Sequence, residues 1–241
     1  MNPNTVISAL DVALSIIFAV LIVRQYLARK KMHQLMWGLA IIFWTIGVAA
    51  ELLVAMDNTW TEWPYRIYYA TGALLIPAWL GMGTLYLVLS RKWADRILVG
   101  LVVLSALGII LILAGPIDAA NLQNVPAAKV PSHVYPFFPT QVILIILNTF
   151  GAVAFIGGAL WSVLHFVRMQ SMGERALATG LIAIGGLIAA VAHSLGVLAG
   201  IELFRISELL ALVFIFVGFI LSSRPSRVPA RAPAPRTASA E

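Results

Sequence analysis

Four ionisable side chains interrupt apolar stretches of this 241-residue sequence: Asp11, Glu51, His193 and Glu208. Each lies about five residues from one end of its apolar run, or roughly 6 to 8 Å deep at ~1.5 Å per helical residue. A charge inside hydrocarbon costs several kcal/mol, so such residues mark candidate sites. The carboxylates offer proton or cation binding, and His193 is a natural partner for a carboxylate or a ligand.

Two arginines and an amide extend this polar layer. Arg205 lies three residues before Glu208, close enough to interact on one helix face. Arg66 and Glu51 flank a short loop, across which they are expected to form an ion pair. Asn148 adds an amide two turns into another apolar run. We therefore predict that these side chains line a ligand site.

The stretch "NTWTEWPYRIYY", which contains Tyr69, is rich in tryptophan and tyrosine. Such rings favour the membrane interface, and an interfacial belt is one interpretation. The other is a lid whose rings cover a ligand or bind a cation through their faces. On that second interpretation Tyr69 is a ligand-binding candidate.

The elements that carry these residues are apolar runs. Hydrophobic residues make up 61% of the chain and charged residues 11%, and the mean hydropathy is +0.95. A membrane-spanning helix needs about 20 apolar residues. Seven runs qualify, so residues 1–224 are predicted to form an all-α, polytopic domain with seven transmembrane helices. The runs cover residues 6–23, 35–56, 67–89, 97–115, 141–164, 177–199 and 204–222.

The basic residues predict how the helices are oriented. Of the 16 lysines and arginines, 13 fall on one side of the membrane, and the other side has Arg66, Lys129 and Arg205. The positive-inside rule therefore places the N-terminus outside and the C-terminus in the cytoplasm, across the inner (plasma) membrane. The first run has positive charges after it instead of before it, so it is predicted to be a retained helix. The basic excess fits anionic lipid, and no nucleic-acid partner is expected.

Two segments lie outside the runs. Residues 115–140 hold five prolines and are predicted to be an external loop, with "YPFFP" at the interface. Residues 225–241 are rich in Pro, Ala and Arg and are predicted to be a disordered cytoplasmic tail. Pro77, in the middle of the third run, is expected to kink its helix and either widen a cavity or act as a hinge.

An internal repeat is suggested by two similar segments. Residues 38–51 and 180–193 share five of fourteen positions without a gap, with Glu51 opposite His193. This predicts a 3+1+3 pseudo-repeat, of the kind on which many transporters are built. The layout, though no motif, resembles that of SWEET sugar transporters and of microbial rhodopsins. Retinal binding requires a lysine in the seventh helix, and no lysine follows Lys129.

Residue types and motifs that are absent from the sequence argue against several kinds of catalytic and metal site. The sequence has no cysteine, so it offers neither disulfides nor thiolate ligands. One histidine deep in a helix does not make a zinc site, and no hydrolase or nucleotide-binding motif is present. We expect no enzyme activity, metal or cofactor; a haem bound through His193 alone is the one alternative.

The predicted function is binding of a small molecule or ion from the outer side, in a cavity between helices 1, 2, 3, 6 and 7. A small transporter and a sensor that lacks its own output domain both fit. The sparse polarity of the inner half favours a sensor, which needs a cytoplasmic protein partner, and the repeat favours a transporter. The alternative is a non-catalytic scaffold or accessory subunit of a larger membrane complex.

Overall fold

The protein is helical throughout the part of the chain that the computed structural model describes. It describes residues 3–123, 125–127, 129–168, 173–199 and 204–223. Of residues 165–168, 173–175 and 192–199 it describes the backbone and not the side chains. All regular elements in these ranges are helices, which confirms the all-α prediction there. The tail predicted for residues 225–241 lies outside the described residues.

Seven helical segments follow one another along the chain, and six of them are long and apolar enough to cross a membrane. In the sixth segment the described apolar part is the shorter Ala176–Val191. These features are those of a multi-pass membrane protein in contact with lipid. The segments are α1 (Pro3–Arg29), α2 (Met32–Asp57), α3 (Glu62–Val88), α4 (Arg91–Ala114), α5 (Phe137–Leu164), α6 (Gly173–Ala199) and α7 (Phe204–Ser223).

Several helices extend beyond the apolar runs that predicted them. Helix α1 continues through its basic end to Arg29, and α4 begins at Arg91. Polar residues outside hydrocarbon can still complete helical turns, so hydropathy underestimates helix length. Two of the ends are marked by left-handed residues, Lys30 at φ 51° after α1 and Asn58 at φ 52° after α2, as is common at helix C-termini.

The helices pack in a closed ring that follows their order in the sequence, except that α4 is not part of the ring. Helix α1 contacts α2 and α7, α2 contacts α3, α3 contacts α5, α5 contacts α6, and α6 contacts α7. Helix α4 packs on α3 and α5 from outside this ring. This order is compatible with two three-helix units joined by a linking helix; the sequence repeat itself stays a prediction. We call the side at which α1, α3, α5 and α7 begin the N-terminal face.

Helices α3 and α5 meet through glycine. A Cβ placed on Gly151 of α5 would lie 2.2 Å from the Pro77 carbonyl carbon and 2.6 Å from the Ala78 nitrogen of α3. Small residues allow such backbone approaches between membrane helices, where dispersion contacts replace the hydrophobic effect. The two helices therefore hold each other by backbone contact.

The kink expected at Pro77 takes the form of a widened turn. Residues Tyr69–Leu75, just before Pro77, are π-helical, and α5 has a second π-helical stretch at Val153–Gly157. Proline lacks the N–H that would close a regular turn, and π-helical turns are frequent at functional sites. Both stretches border the cavity described below.

Substituting Gly151→Ala should destabilise the protein by about 1–3 kcal/mol, because the added methyl group overlaps backbone atoms that cannot rotate away. Gly157→Ala, in the same helix, is the matched control, since a Cβ there meets nothing within 4 Å. Thermal unfolding in detergent, followed by circular dichroism, measures both variants. Equal melting temperatures for the two would contradict the backbone contact.

Candidate functional site

Arg205, in the first turn of α7, is the centre of a buried polar network at the N-terminal face. Its guanidinium pairs with Glu51 of α2, Nη1 lying 3.0 Å from Oε2, and donates to the Ser8 hydroxyl of α1. It also donates to the Ala127 carbonyl from Nε at 3.2 Å and from Nη2 at 2.6 Å. One side chain thus connects α7 to α1, to α2 and to the loop between α4 and α5.

Two further carboxyls lie beside this ion pair. The Glu208 carboxyl lies near that of Glu51, and Asp11 lies against the indole of Trp44. Among the described residues, Glu51 Oε1, Asp11 Oδ1 and Trp44 Nε1 find no hydrogen-bond partner. Three carboxyls therefore face one guanidinium among the described side chains, and unsatisfied acceptors remain. Buried polar groups without partners are rare and call for an explanation.

Arg66 has a different role from the one its position in the sequence suggests. It pairs with Glu62 one turn earlier, at 2.9 Å. It also donates to the carbonyls of Ile112 and Gly115 at the end of α4. A cation there satisfies the free carbonyls and the negative end of the helix dipole. The expected Glu51–Arg66 ion pair is not the one that forms, because Glu51 is held by Arg205.

The aromatic segment and the α4–α5 loop cover the N-terminal face together. The Trp60 indole donates to the Lys129 carbonyl at 2.7 Å, and the Tyr65 hydroxyl donates to the Pro131 carbonyl at 3.2 Å. The Tyr135 ring lies 5.8 Å from Tyr65 and 4.9 Å from Tyr69, centroid to centroid. Burial raises the pKa of the Tyr135 phenol to about 12. The phenol therefore remains a donor at neutral pH, bonded to the Ile112 carbonyl at 3.1 Å.

This cover lies over part of the site that was predicted to bind a ligand from the outer side. Asp11, Glu51 and Arg205 are only 2–3% exposed, and the loop seals them at Ala127. The loop's "YPFFP" divides accordingly, with Tyr135 buried while Phe137 and Phe138 are exposed. Asp11 and Glu51 lie beneath packed protein, because the Ala127 carbonyl of the loop completes the coordination of Arg205; their depth in the membrane stays a prediction.

A cavity of about 400 Å³ lies below the network, between α2, α3, α5, α6 and α7. It therefore involves α5 and not α1, unlike the predicted one. Its walls are mostly apolar, with the aromatic rings of Trp44, Phe155 and Phe204 among them. Glu208 and Asn148 bring polar groups to the wall, and Asn148 Oδ1 is buried without a described partner. Glu208 thus faces both the acid cluster and the cavity.

The predicted site residues fall into three groups. Helix packing brings together Asp11, Glu51, Arg205 and Glu208, and Asn148 joins Glu208 at the cavity. Arg66 and Tyr69 lie apart from them; the Tyr69 hydroxyl donates to Gln141 Oε1 at 3.0 Å. His193 is on α6, but its side chain is outside the described part. Whether any of them binds a ligand stays a prediction.

Three partners in this site are absent from the sequence-based set. Ser8 lies three residues before Asp11, a spacing that puts both on one helix face and could have identified it. Trp44 lies seven residues before Glu51 on α2, so it shares the helix face of that acid. The Ala127 carbonyl has no signal in the sequence, since any residue offers a backbone oxygen.

Comparison of the chain with models of protein families, with curated proteins and with solved structures finds no significant match.

Replacing Arg205 by Gln should cost about 3–5 kcal/mol, because it leaves Glu51 buried without a counter-charge. Glu51→Gln should cost less, since the amide oxygen still accepts a hydrogen bond from Arg205. Arg91→Gln is the control: its side chain is 78% exposed and lies 3.7 Å from Asp95, a type of pair that contributes about 0–1 kcal/mol. Chemical or thermal unfolding in detergent ranks the three variants. If Arg205→Gln unfolds like Arg91→Gln, the network does not hold the helices.

Proposed function

We propose that this protein is a receptor in the plasma (inner) membrane that binds an apolar small molecule in the cavity between α2, α3, α5, α6 and α7. The main support is the cavity itself, about 400 Å³ with mostly apolar walls. Sites for small molecules usually measure about 300–1,000 Å³ and combine apolar walls with a few polar groups. Glu208 and Asn148 are those groups.

Packing toward the face opposite the N-terminal face supports a receptor over a carrier. The Trp37 indole donates to the Leu80 carbonyl at 3.1 Å and fills the space beside Gly83, where a Cβ would lie 2.2 Å from the ring. Phe18 packs on Phe216 and Phe219 at 5.2 and 5.1 Å between centroids. These rings pack the half of the bundle opposite the N-terminal face. This fits a sensor better than a carrier, because a sensor needs no passage through the bundle.

The output of such a receptor passes through its helices. Glu208, at the cavity wall, lies one turn from Arg205 on α7, and Arg205 is bonded to α1, α2 and the loop. A ligand that moves Glu208 therefore acts on the side chain that joins these elements. A cytoplasmic protein partner reads the resulting shift of the helices.

Transport is the second candidate, favoured by the ring of six helices with α4 outside. That order suits two three-helix units that rock around a central site. In this version Glu51 or Glu208 carries a proton or cation.

Binding of a small, mainly apolar probe tests whether the cavity is a ligand site. We expect 4-phenylbutan-1-ol to bind saturably to the protein in nanodiscs, above its partitioning into protein-free nanodiscs, measured by equilibrium dialysis. Ala152→Phe, at the cavity wall, should weaken binding at least about tenfold, or about 1.4 kcal/mol. Ala106→Phe places the same ring on an exposed position of α4 and should leave binding unchanged. Absence of saturable binding, or equal loss in both variants, would refute the cavity as a ligand site.

Labelling of single cysteines tests orientation and distinguishes a receptor from a carrier, because the chain has no native cysteine. With the N-terminus outside, Ser132→Cys in the loop should react with an impermeant maleimide in intact cells. Lys31→Cys, between α1 and α2, should react only after permeabilisation. For a receptor, Thr149→Cys at the cavity wall should resist labelling from the cytoplasmic side in inside-out vesicles. Labelling of Thr149→Cys from both sides would favour a carrier.

A further inference from the structure

The charged group described at the cavity wall is an acid. Among the lining residues that the structure describes, Glu208 is the ionisable one, and no lysine, arginine or histidine stands with it. Asn148 contributes a buried oxygen that has no hydrogen-bond partner among the described residues. The wall therefore presents a carboxyl and an unsatisfied amide oxygen, which a ligand with donors or positive charge would satisfy.

Behind Glu208 the excess of acid continues. Glu51 is 2% exposed, and its Oε2 is occupied by Arg205. Its Oε1 has no described partner, and the Glu208 carboxyl lies near this side chain. Asp11 adds a third carboxyl nearby. Carboxylates so close in a low dielectric repel each other unless a proton or another positive charge lies between or beside them.

Aromatic rings complete the set of features. Trp44, Phe155 and Phe204 line the cavity, and Trp44 is 3% exposed. Aromatic faces attract ammonium groups, and the attraction is stronger where water is excluded. A carboxylate, an amide oxygen without a described hydrogen-bond partner and several rings around one cavity together favour an organic cation.

We infer that the occupant of the cavity is an apolar molecule with a positively charged nitrogen, a protonated amine or a quaternary ammonium, and that Glu208 is its counter-ion. This assignment depends on the proposed function and adds the chemical class of the ligand. The ammonium group binds beside Glu208 and Asn148, and the apolar body extends between α3 and α5 toward Phe155. The ligand adds a positive charge to that of Arg205, which is one guanidinium near three carboxyls among the described side chains.

Two probes of equal size test the assignment in nanodiscs: 4-phenylbutylamine, which is protonated at neutral pH, and uncharged 4-phenylbutan-1-ol. Binding is measured by equilibrium dialysis, and partitioning into protein-free nanodiscs is subtracted. The amine should bind at least about tenfold more tightly than the alcohol. The (4-phenylbutyl)trimethylammonium ion shows whether the site needs N–H donors or only positive charge; binding of either cation above the alcohol supports the assignment.

Two variants test whether Glu208 is the carboxylate that pairs with the positive charge of the ligand. Glu208→Gln should weaken amine binding at least about tenfold and leave alcohol binding within about twofold, which also shows that the cavity remains folded. Glu62→Gln is the matched control, since Glu62 is half exposed and pairs with Arg66 outside the cavity; it should leave the affinity for the amine unchanged.

The other outcomes overturn the assignment in distinguishable ways. Equal binding of the alcohol and both cations to the wild-type protein would disprove the cationic ligand while leaving the proposed receptor intact. If Glu208→Gln loses the alcohol as well as the amine, Glu208 is not the counter-ion. If no probe binds saturably, the proposed function fails together with the inference.

Discussion

The ion pair between Arg205 and Glu51 is the constraint on which the rest of the N-terminal face depends. Both side chains are nearly inaccessible, and a buried charge that loses its partner costs several kcal/mol. The net contribution of such a pair to stability is often small, because desolvation offsets attraction. Its effect here is on arrangement: α7 must lie where its arginine reaches α2, the Ser8 hydroxyl and the Ala127 carbonyl together.

This arrangement places Glu208 one turn along α7, between the acid cluster and the cavity. The same helix therefore offers a cation to the covered network and an anion to the cavity below it. Because Arg205 already donates to several acceptors, it compensates the three carboxyls only in part. Among the described residues, oxygens of Asp11, Glu51 and Asn148 have no hydrogen-bond partner, which is consistent with a site that is completed by something it binds.

The cavity exists because neighbouring helices pack closely at some levels and less closely at others. Glycine contacts bring α3 and α5 into backbone contact near Pro77 and Gly151, and π-helical turns interrupt both helices nearby. Arg66 holds the end of α4 against α3, outside the ring. Trp37 and the Phe18 cluster fill the opposite half of the bundle. What remains is a mainly apolar cavity beneath the aromatic cover.

The sequence by itself determined the helices and how far along each of them the acids lie, since hydropathy over about 20 residues and a fixed rise per residue suffice for both. It did not determine that Glu51 pairs with Arg205 and not with the nearer Arg66, 15 residues away. Nor did it reveal that a loop carbonyl closes the site, or that α5 borders the cavity and α1 does not. Position along a helix depends on that helix alone, whereas pairing and enclosure depend on how helices far apart in sequence rotate and pack against one another, which only the tertiary structure decides.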